Sequence, residues 1–272
     1  MKKIALLLTF SAMLIYGQAQ IISAIVNENN HDTKVAQVKL YTSPFRDAWP
    51  GLTFSDPEVN TSTWIGRSQI TANDTMVLLT NSASQVILWK NGELIDISGE
   101  EYAAGRSLFV HQGDIYVLWN KMYPYPYTGQ VWKNGEMYYE FKNPGRGVVV
   151  SSMHVTDSNI YVAGHSVISN GQNGIFIATL WTNGVAQFLS DTLYSSYATS
   201  IAVSDSNVYI VGYGANFQGK DVAKLWINGV ETNLTTGEQH AQAYSVCVDG
   251  EDVYVVGQEN VGFIPKPVFW KN

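Results

Sequence analysis

Residues 200–229 read SIAVSDSNVYIVGYGANFQGKDVAKLWING, and this stretch decides the fold. It contains three short apolar or alternating runs, separated by a polar turn at 204–207 and a variable loop at 213–222. It ends in Asn228-Gly229, a dipeptide that is the strongest short-range signal for a β-hairpin. A fourth alternating run follows the turn. The stretch therefore predicts a unit of four short antiparallel strands.

The same unit recurs along the chain. Its tryptophan returns after 43, 49, 45 and 44 residues, and a second motif at the start of the second strand keeps step with it. Two motifs in register over five copies indicate a true repeat. The tryptophan motifs are Leu88-Trp89-Lys90-Asn91-Gly92, Val131-Trp132-Lys133-Asn134-Gly135, Leu180-Trp181-Thr182-Asn183-Gly184, Leu225-Trp226-Ile227-Asn228-Gly229 and Phe269-Trp270-Lys271-Asn272.

The repeat predicts an all-β fold and, within that class, a β-propeller. Four short antiparallel strands in every 40 to 50 residues are typical of a propeller blade, and helical periodicity is absent. Residues 67–272 accordingly form five propeller repeats, each a blade of four strands. A β-solenoid or a sandwich is the alternative.

The fifth copy lacks a fourth strand, because the given sequence ends at Asn272. An open strand edge invites aggregation, so a strand from residues 21–66 is expected to complete the last blade. The alternating residues 34–41 are the preferred candidate, and Leu52–Phe54 is the second. Residues 21–66 forming a degenerate sixth blade is the alternative to five blades.

The first twenty residues have the form of a signal peptide. Lys2 and Lys3 precede an apolar run that is too short to span a bilayer, and small residues three apart follow it. We therefore expect a secreted protein without membrane insertion, located in a periplasm, outside the cell or on its surface. Cys247 has no partner for a disulfide in this chain. A net charge of −7 argues against a nucleic-acid partner.

The Leu-Trp-x-Asn-Gly motif, followed by the Asp-x-Asn-Val-Tyr motif, resembles secreted propeller-like repeat proteins of bacteria, which are mostly uncharacterised. The resemblance covers residues 67–272 and concerns structural motifs. The number and length of the repeats also resemble those of five-bladed lectins that bind amino sugars, but this likeness is one of architecture alone. It implies a fold and does not imply binding residues.

The candidate binding residues lie on the connections between second and third strands and between successive repeats. These connections are long, variable and rich in aromatic residues, whereas the other turns are short and uniform. Variable loops on a rigid frame are where functional residues tend to lie. The candidates on these loops are Tyr123, Tyr125, Tyr127, Tyr194, Tyr197, Phe217 and Phe263. Caps on the blade ends are the structural alternative for these rings.

Arg67 is a further candidate, because it occupies the position in the first innermost strand that a serine occupies in the other four. One hypothesis is that these side chains bind an anion, and the alternative is that small hydroxyl residues fit where the inner strands crowd together. The serines that form a column with Arg67 are Ser107, Ser152, Ser200 and Ser245.

No motif predicts a catalytic residue, a metal ligand or a cofactor. The five histidines lack the spacing of a zinc site, and the acidic turns have too few carboxylates for calcium. The preferred function is a secreted, non-catalytic module that binds a glycan or an extracellular protein through the loop-rich face. The alternatives are a propeller-type glycoside hydrolase or lyase and a structural or surface-assembly protein. The oligomeric state stays open.

Overall fold

The described part of the chain is built from β-strands. The computed structural model describes residues 24–27, 35–38, 64–70, 75–80, 84–90, 93–99, 101–143, 147–169, 174–262 and 264–272. The regular elements in these ranges are strands, numbered β1 to β21 in chain order. None of the described residues belongs to a helix long and apolar enough to cross a bilayer.

The strands form five sheets. Sheet 1 holds β1 (Ala24–Asn27), β2 (Val35–Val38), β3 (Trp64–Ile70), β4 (Thr75–Thr80), β5 (Val86–Lys90) and β6 (Glu93–Asp96). Sheet 2 holds β7 (Ala103–His111), β8 (Asp114–Lys121), β9 (Thr128–Lys133) and β10 (Glu136–Phe141). Sheet 3 holds β11 (Val148–Val155), β12 (Ile160–Ser169), β13 (Gly174–Thr182) and β14 (Val185–Phe188). Sheet 4 holds β15 (Ser196–Ser204), β16 (Asn207–Ala215), β17 (Asp221–Ile227) and β18 (Val230–Asn233). Sheet 5 holds β19 (Ala241–Asp249), β20 (Asp252–Val261) and β21 (Ile264–Lys271).

Each repeat is an antiparallel meander whose strands lie in chain order across the sheet. The first strands of successive repeats contact one another: β7 contacts β3 and β11, and β15 contacts β11 and β19. The first strand of each repeat is therefore the inner strand, and the fourth lies at the outer edge. This is the arrangement of blades in a β-propeller, and it confirms the prediction of an all-β fold of repeated four-stranded units.

The N-terminal strands join the first sheet rather than the last. β2 pairs with β1 along its length and meets β3 at Val38 and Ser68. The sequence analysis predicted that residues 34–41 pair with the fifth repeat. In the structure, β2 from this run lies beside β3 in the first sheet instead. The inner edge of β3 offers unpaired peptide groups with which an alternating strand can pair. Sheet 5 contains three described strands. The second candidate, 52–54, lies outside the described residues.

The hydrophobic core is divided among the spaces between neighbouring sheets. Four clusters of buried residues fill the spaces between consecutive sheets, from sheets 1 and 2 to sheets 4 and 5. Two of the repeated tryptophans, Trp181 and Trp226, are 3% and 0% exposed. The repeated tryptophan at these positions is therefore a core residue and not an exposed platform for a ligand.

A hydrogen-bonded turn explains why the two sequence motifs keep step. The asparagine Oδ1 of the Trp-x-Asn motif accepts a bond of 2.9 Å from a backbone N–H at the start of the second strand. This bond occurs in four repeats, between Asn134 and Ile115, Asn183 and Ile160, Asn228 and Val208, and Asn272 and Val253. In two repeats the asparagine Nδ2 also donates to the asparagine of the second motif, Asn159 or Asn207. The Trp-x-Asn motif and the motif at the start of the second strand therefore recur together because they are hydrogen-bonded to each other.

Every inner strand contains a β-bulge at the same position. The register shifts at Gly66, Arg106, Ser151, Thr199 and Tyr244, each one residue before the column that begins at Arg67. Bulges increase the local twist of a strand. Three serines of the column, Ser107, Ser152 and Ser200, are 0%, 1% and 5% exposed. The column therefore packs between sheets at these three positions and does not form an open ring of hydroxyl groups.

Candidate functional site

The loop-rich face is formed by the connections that the sequence analysis selected. We define it by the described residues 122–127, 189–195, 216–220 and 234–240. The opposite face carries short turns, such as Asn228-Gly229, whose two residues both have positive φ angles of 52° and 84°. Asparagine and glycine adopt this conformation more readily than other residues, so this face is fixed by its turns. Variable side chains are concentrated on the loop-rich face.

The tyrosine loop, residues 122–127, carries the most prominent aromatic group on this face. Tyr123 and Tyr125 are 69% and 60% exposed. The ring of Tyr123 meets the edge of Tyr102 at 6.3 Å, and Tyr125 meets the half-buried Tyr127 at 5.5 Å. Three neighbouring tyrosines therefore border the two prolines of the loop, and two of them, Tyr123 and Tyr125, present large amphipathic rings to solvent.

Both ends of the tyrosine loop are held by main-chain bonds. The N–H of Met122 donates to the carbonyl of Tyr102 at 2.7 Å, and the N–H of Val148 donates to the carbonyl of Tyr127 at 2.8 Å. The second bond crosses from sheet 2 to sheet 3. Lys121, directly before the loop, forms an ion pair with Glu101. The loop is therefore anchored to two sheets while its central side chains stay exposed.

The remaining loop candidates are separate from this group. Tyr194 and Phe217 are 43% and 78% exposed, on the connection to sheet 4 and on the loop after β16. No ring contact among the described residues joins either of them to the tyrosine loop. Arg67 lies in β3 opposite Leu78, and its side chain is not among those described. Phe263 lies outside the described residues.

Tyr197 belongs to an aromatic cluster between sheets 3 and 4. Its ring stacks on Phe176 at 5.4 Å and on Tyr213 at 4.9 Å. Burial raises the pKa of both tyrosines, that of Tyr213 to about 12. The contacts give Tyr197 a packing role at the inner end of the loop-rich face, with less of its surface open to a ligand than Tyr123 or Tyr125.

His165 completes this cluster, and sequence reasoning did not select it. Its ring meets the rings of Phe176 and Tyr197 edge to face, at 5.4 and 5.0 Å. Burial, with a smaller contribution from the nearby Arg106, lowers its pKa to about 4. The imidazole is therefore neutral at neutral pH and packs as an aromatic ring. His165 occupies the same position of the repeat as Asn120 in sheet 2, and this polar residue pair was the signal that the sequence offered. Asn120 bonds to Val150 in the inner strand of the next sheet, so this position faces a neighbouring sheet.

A chain of polar side chains lies beside this cluster, between sheets 4 and 5. Gln242 donates from Nε2 to Asp221 at 2.7 Å and accepts at Oε1 from the hydroxyl of Tyr244 at 2.6 Å. The backbone N–H of Asp221 donates to Nδ1 of His240 at 3.1 Å, which fixes that nitrogen as an acceptor. These residues come from two separate strands, β17 and β19, and the connection before β19, so no local motif in the sequence marked them.

The chemistry of the described face is that of recognition by rings and hydrogen bonds. Its exposed rings include Tyr123, Tyr125, Tyr194 and Phe217, and the amide, phenol and carboxylate groups of Gln242, Tyr244 and Asp221 beside it are bonded to one another. No cluster of three or more potential metal ligands occurs among the described residues. Rings with a polar tip beside hydrogen-bonding groups suit a ligand that has both apolar faces and hydroxyl groups.

Comparison with known proteins gives structural likenesses only. No family model matches the chain, and no curated protein matches it. The β-propeller domain of the Trilobed protease from Pyrococcus furiosus, described as having an open velcro topology, is 12% identical, with 93% of this chain and 77% of that chain covered and a TM-score of 0.46. The computationally designed protein Ika4 is 18% identical over 61% of this chain and 90% of its own, with a TM-score of 0.35. A protein from Thermus thermophilus assigned as an oxidoreductase (glucose dehydrogenase) is 10% identical over 67% of this chain and 87% of its own, with a TM-score of 0.29. The fold assignment above rests on the sheets themselves.

Proposed function

We propose that the protein is an exported, non-catalytic binding module that recognises a glycan through the tyrosine loop on its loop-rich face. The observation that carries the proposal is the exposure of Tyr123 and Tyr125 on a loop that main-chain bonds anchor to two sheets. Tyr194 and Phe217 extend the same face and are proposed as peripheral contacts.

The physical reason lies in what an exposed tyrosine offers to a sugar. The ring gives a large flat apolar surface, and the hydroxyl group gives a hydrogen bond at its edge. A tyrosine has few rotatable bonds, so binding costs less conformational entropy than it does with a long flexible side chain. Anchoring of the loop at Tyr102 and Val148 lowers that cost further, because the backbone is already ordered before the ligand arrives.

The architecture that we propose to support this face is a ring of five four-stranded blades. Sheets 2, 3 and 4 have four strands each, sheet 1 has its four repeat strands β3 to β6 with β1 and β2 added beside β3, and sheet 5 has three described strands. We propose that a strand from residues 21–66 completes sheet 5, with 52–54 as the candidate. The signal-peptide pattern in residues 1–20 supports export, which would bring the loop-rich face into contact with glycans outside the cell.

The test is a glycan-array screen of residues 21–272, followed by titration of any glycan that binds. We expect saturable binding in the wild type and at least a tenfold loss in the double variant Tyr123→Ala/Tyr125→Ala, since stacking contacts are worth about 1 kcal/mol or more each.

The matched control is Tyr138→Ala. Tyr138 is 52% exposed in β10 of the same sheet, next to the turns of the opposite face. Loss of a tyrosine there should leave glycan affinity unchanged. If Tyr138→Ala weakened glycan binding as much as the double variant did, or if the double variant still bound the glycan with unchanged affinity, the glycan would bind outside the tyrosine loop. Absence of binding to every glycan would refute the glycan proposal in favour of a protein ligand or an assembly role.

A further inference from the structure

The turns between third and fourth strands contain a dipeptide that is prone to spontaneous chemical change. Asparagine is thermolabile because the next backbone nitrogen can attack its side chain, and a following glycine has no Cβ atom to hinder that attack. The sequence contains six Asn-Gly dipeptides, and three of their asparagines lie in described turns. These three asparagines, Asn134, Asn183 and Asn228, are therefore candidate sites of deamidation.

Deamidation needs water as its only co-reactant. The glycine nitrogen forms a bond to the side-chain carbon Cγ of the asparagine, the C–N bond of the side-chain amide breaks, and the leaving group takes up the proton of the glycine nitrogen and departs as ammonia. Water then opens the succinimide ring at one of its carbonyl carbons, which gives aspartate or isoaspartate. The first step therefore requires a side chain that is free to turn toward the glycine nitrogen.

Three hydrogen bonds hold each of these asparagines in the folded chain. The backbone N–H of Asn134 donates to the carbonyl of Ile115 at 2.9 Å, its Oδ1 accepts from the N–H of Ile115 at 2.9 Å, and its Nδ2 donates to Oδ1 of Asp114 at 2.7 Å. The same bonds recur in sheets 3 and 4, where Asn183 bonds to Ile160 and Asn159, and Asn228 bonds to Val208 and Asn207. Both polar atoms of each side-chain amide are thus fixed to the start of the second strand.

We propose that Asn134, Asn183 and Asn228 are deamidation sites that folding keeps closed, and that the product at Asn134 holds its own turn open. Opening of one turn is a local event that costs less free energy than global unfolding. Each asparagine reacts at the rate of the unfolded chain multiplied by the fraction of time that its turn is open. The hydrogen bonds of the turn therefore determine how fast each site is modified.

Asn134 differs from the other two sites in the group that its Nδ2 meets. That group is the carboxylate of Asp114, which Lys133 keeps ionised through a contact of 2.7 Å that lowers the pKa of Asp114. An aspartate at position 134 would place a second carboxylate against Asp114, and two acceptors of like charge repel each other.

At Asn183 and Asn228 the partner is the side-chain amide of Asn159 or Asn207. An amide has both a donor and an acceptor, so it can turn its NH₂ group toward a new carboxylate. Deamidation at these two sites therefore leaves a hydrogen bond in place of the one it removes, whereas deamidation at Asn134 does not.

The first test measures the rate of deamidation by peptide mass spectrometry. Residues 21–272 are incubated at mildly alkaline pH, in buffer and in concentrated urea. We expect all three asparagines to react in urea and each to react at least tenfold more slowly in the folded protein. Asp114→Ala should accelerate the reaction of Asn134 in the folded protein, with Asn183 and Asn228 as unchanged internal controls.

The matched control is Lys133→Thr, which removes the ion pair with Asp114 and keeps the bond to Nδ2 of Asn134. Threonine is the residue at the equivalent position of sheet 3, Thr182. This variant should leave the rate at Asn134 unchanged. Equal rates in buffer and in urea at these sites, or an Asp114→Ala variant that accelerates all three asparagines equally or none of them, would overturn the proposal.

The second test mimics the product by substitution and measures amide hydrogen exchange near neutral pH. Asn134→Asp should speed exchange of the Ile115 amide at least tenfold. Asn228→Asp is the control of equal charge, and it should change exchange of the Val208 amide far less. Equal effects of the two substitutions would show that the carboxylate of Asp114 does not hold the modified turn open.

Discussion

The asparagine of each Trp-x-Asn turn shows how much one residue does in this fold. Asn183 has a φ angle of 49°, accepts from Ile160 and donates to Asn159, so a single side chain fixes a turn and links two hairpins. Asparagine tolerates this backbone conformation and brings both a donor and an acceptor. The sequence could predict the turns because the signal is local. It could not predict His165, whose role depends on rings from a second sheet.

Two partly buried histidines, His154 and His165, predict how stability depends on pH. Burial is the main cause that lowers the pKa of His154 and of His165 to about 4, compared with 6.5 for the free side chain. The unfolded chain therefore binds more protons than the folded chain between about pH 6.5 and pH 4, and the free energy of unfolding falls as the pH falls through this window. Each histidine accounts for up to about 3 kcal/mol.

This pH dependence is measured by urea unfolding at several pH values from 7.5 to about 4.5. His165→Gln should have a shallower slope than the wild type, because one of the two low-pKa groups is absent. Met137→Gln is the control, since the exposed Met137 side chain carries no group that gains or loses a proton, and it should leave the slope unchanged. A slope that is the same in His165→Gln and the wild type would show that protonation of His165 does not oppose folding.

At the scale of the element, the inner strands of sheets 3, 4 and 5 are each shaped by a bulge and by a glycine in the neighbouring strand. A Cβ atom at Gly164, Gly212 or Gly257 would collide with the backbone carbonyl of Val149, Tyr197 or Gln242 in the inner strand. In sheet 2, Trp119 takes the equivalent place and Gly105 lies opposite it. The strands and turns could be predicted from the repeat. The bulges could not, because the bulged residues Arg106, Thr199 and Tyr244 share no residue type.

Gly212→Ala should therefore destabilise the protein by about 2–4 kcal/mol, because the added methyl group must displace the inner strand at its bulge. Urea unfolding measures the loss. Gly250→Asn is the control: its φ angle of 61° suits asparagine, and a Cβ atom there meets nothing within 4 Å, so the change should be within about 0.5 kcal/mol. An equally stable Gly212→Ala variant would contradict the close approach of the two strands.

At the scale of the whole molecule, the sheets form a series in which each packs on the next through its inner strand. The repeat length predicted this series, because four short strands fill 40 to 50 residues whatever the loops contain. The place of the N-terminal strands could not be predicted in the same way. An alternating run such as 35–38 fits any free edge, and both the inner edge of β3 and the outer edge of β21 offer one.

The ring is the central claim, because it determines which loops share a face, and its most direct test is amide hydrogen exchange at β21. The N–H of Asn272 donates to Val253, so the peptide groups of Trp270 point inward and those of Phe269 and Lys271 point toward the outer edge of β21, where a fourth strand would pair. If a strand from residues 21–66 completes sheet 5, the amides of Phe269 and Lys271 exchange at least tenfold more slowly than those of Ala186 and Phe188, which point outward at the exposed outer edge of β14. Exchange at Phe269 and Lys271 as fast as at that open edge would contradict the ring.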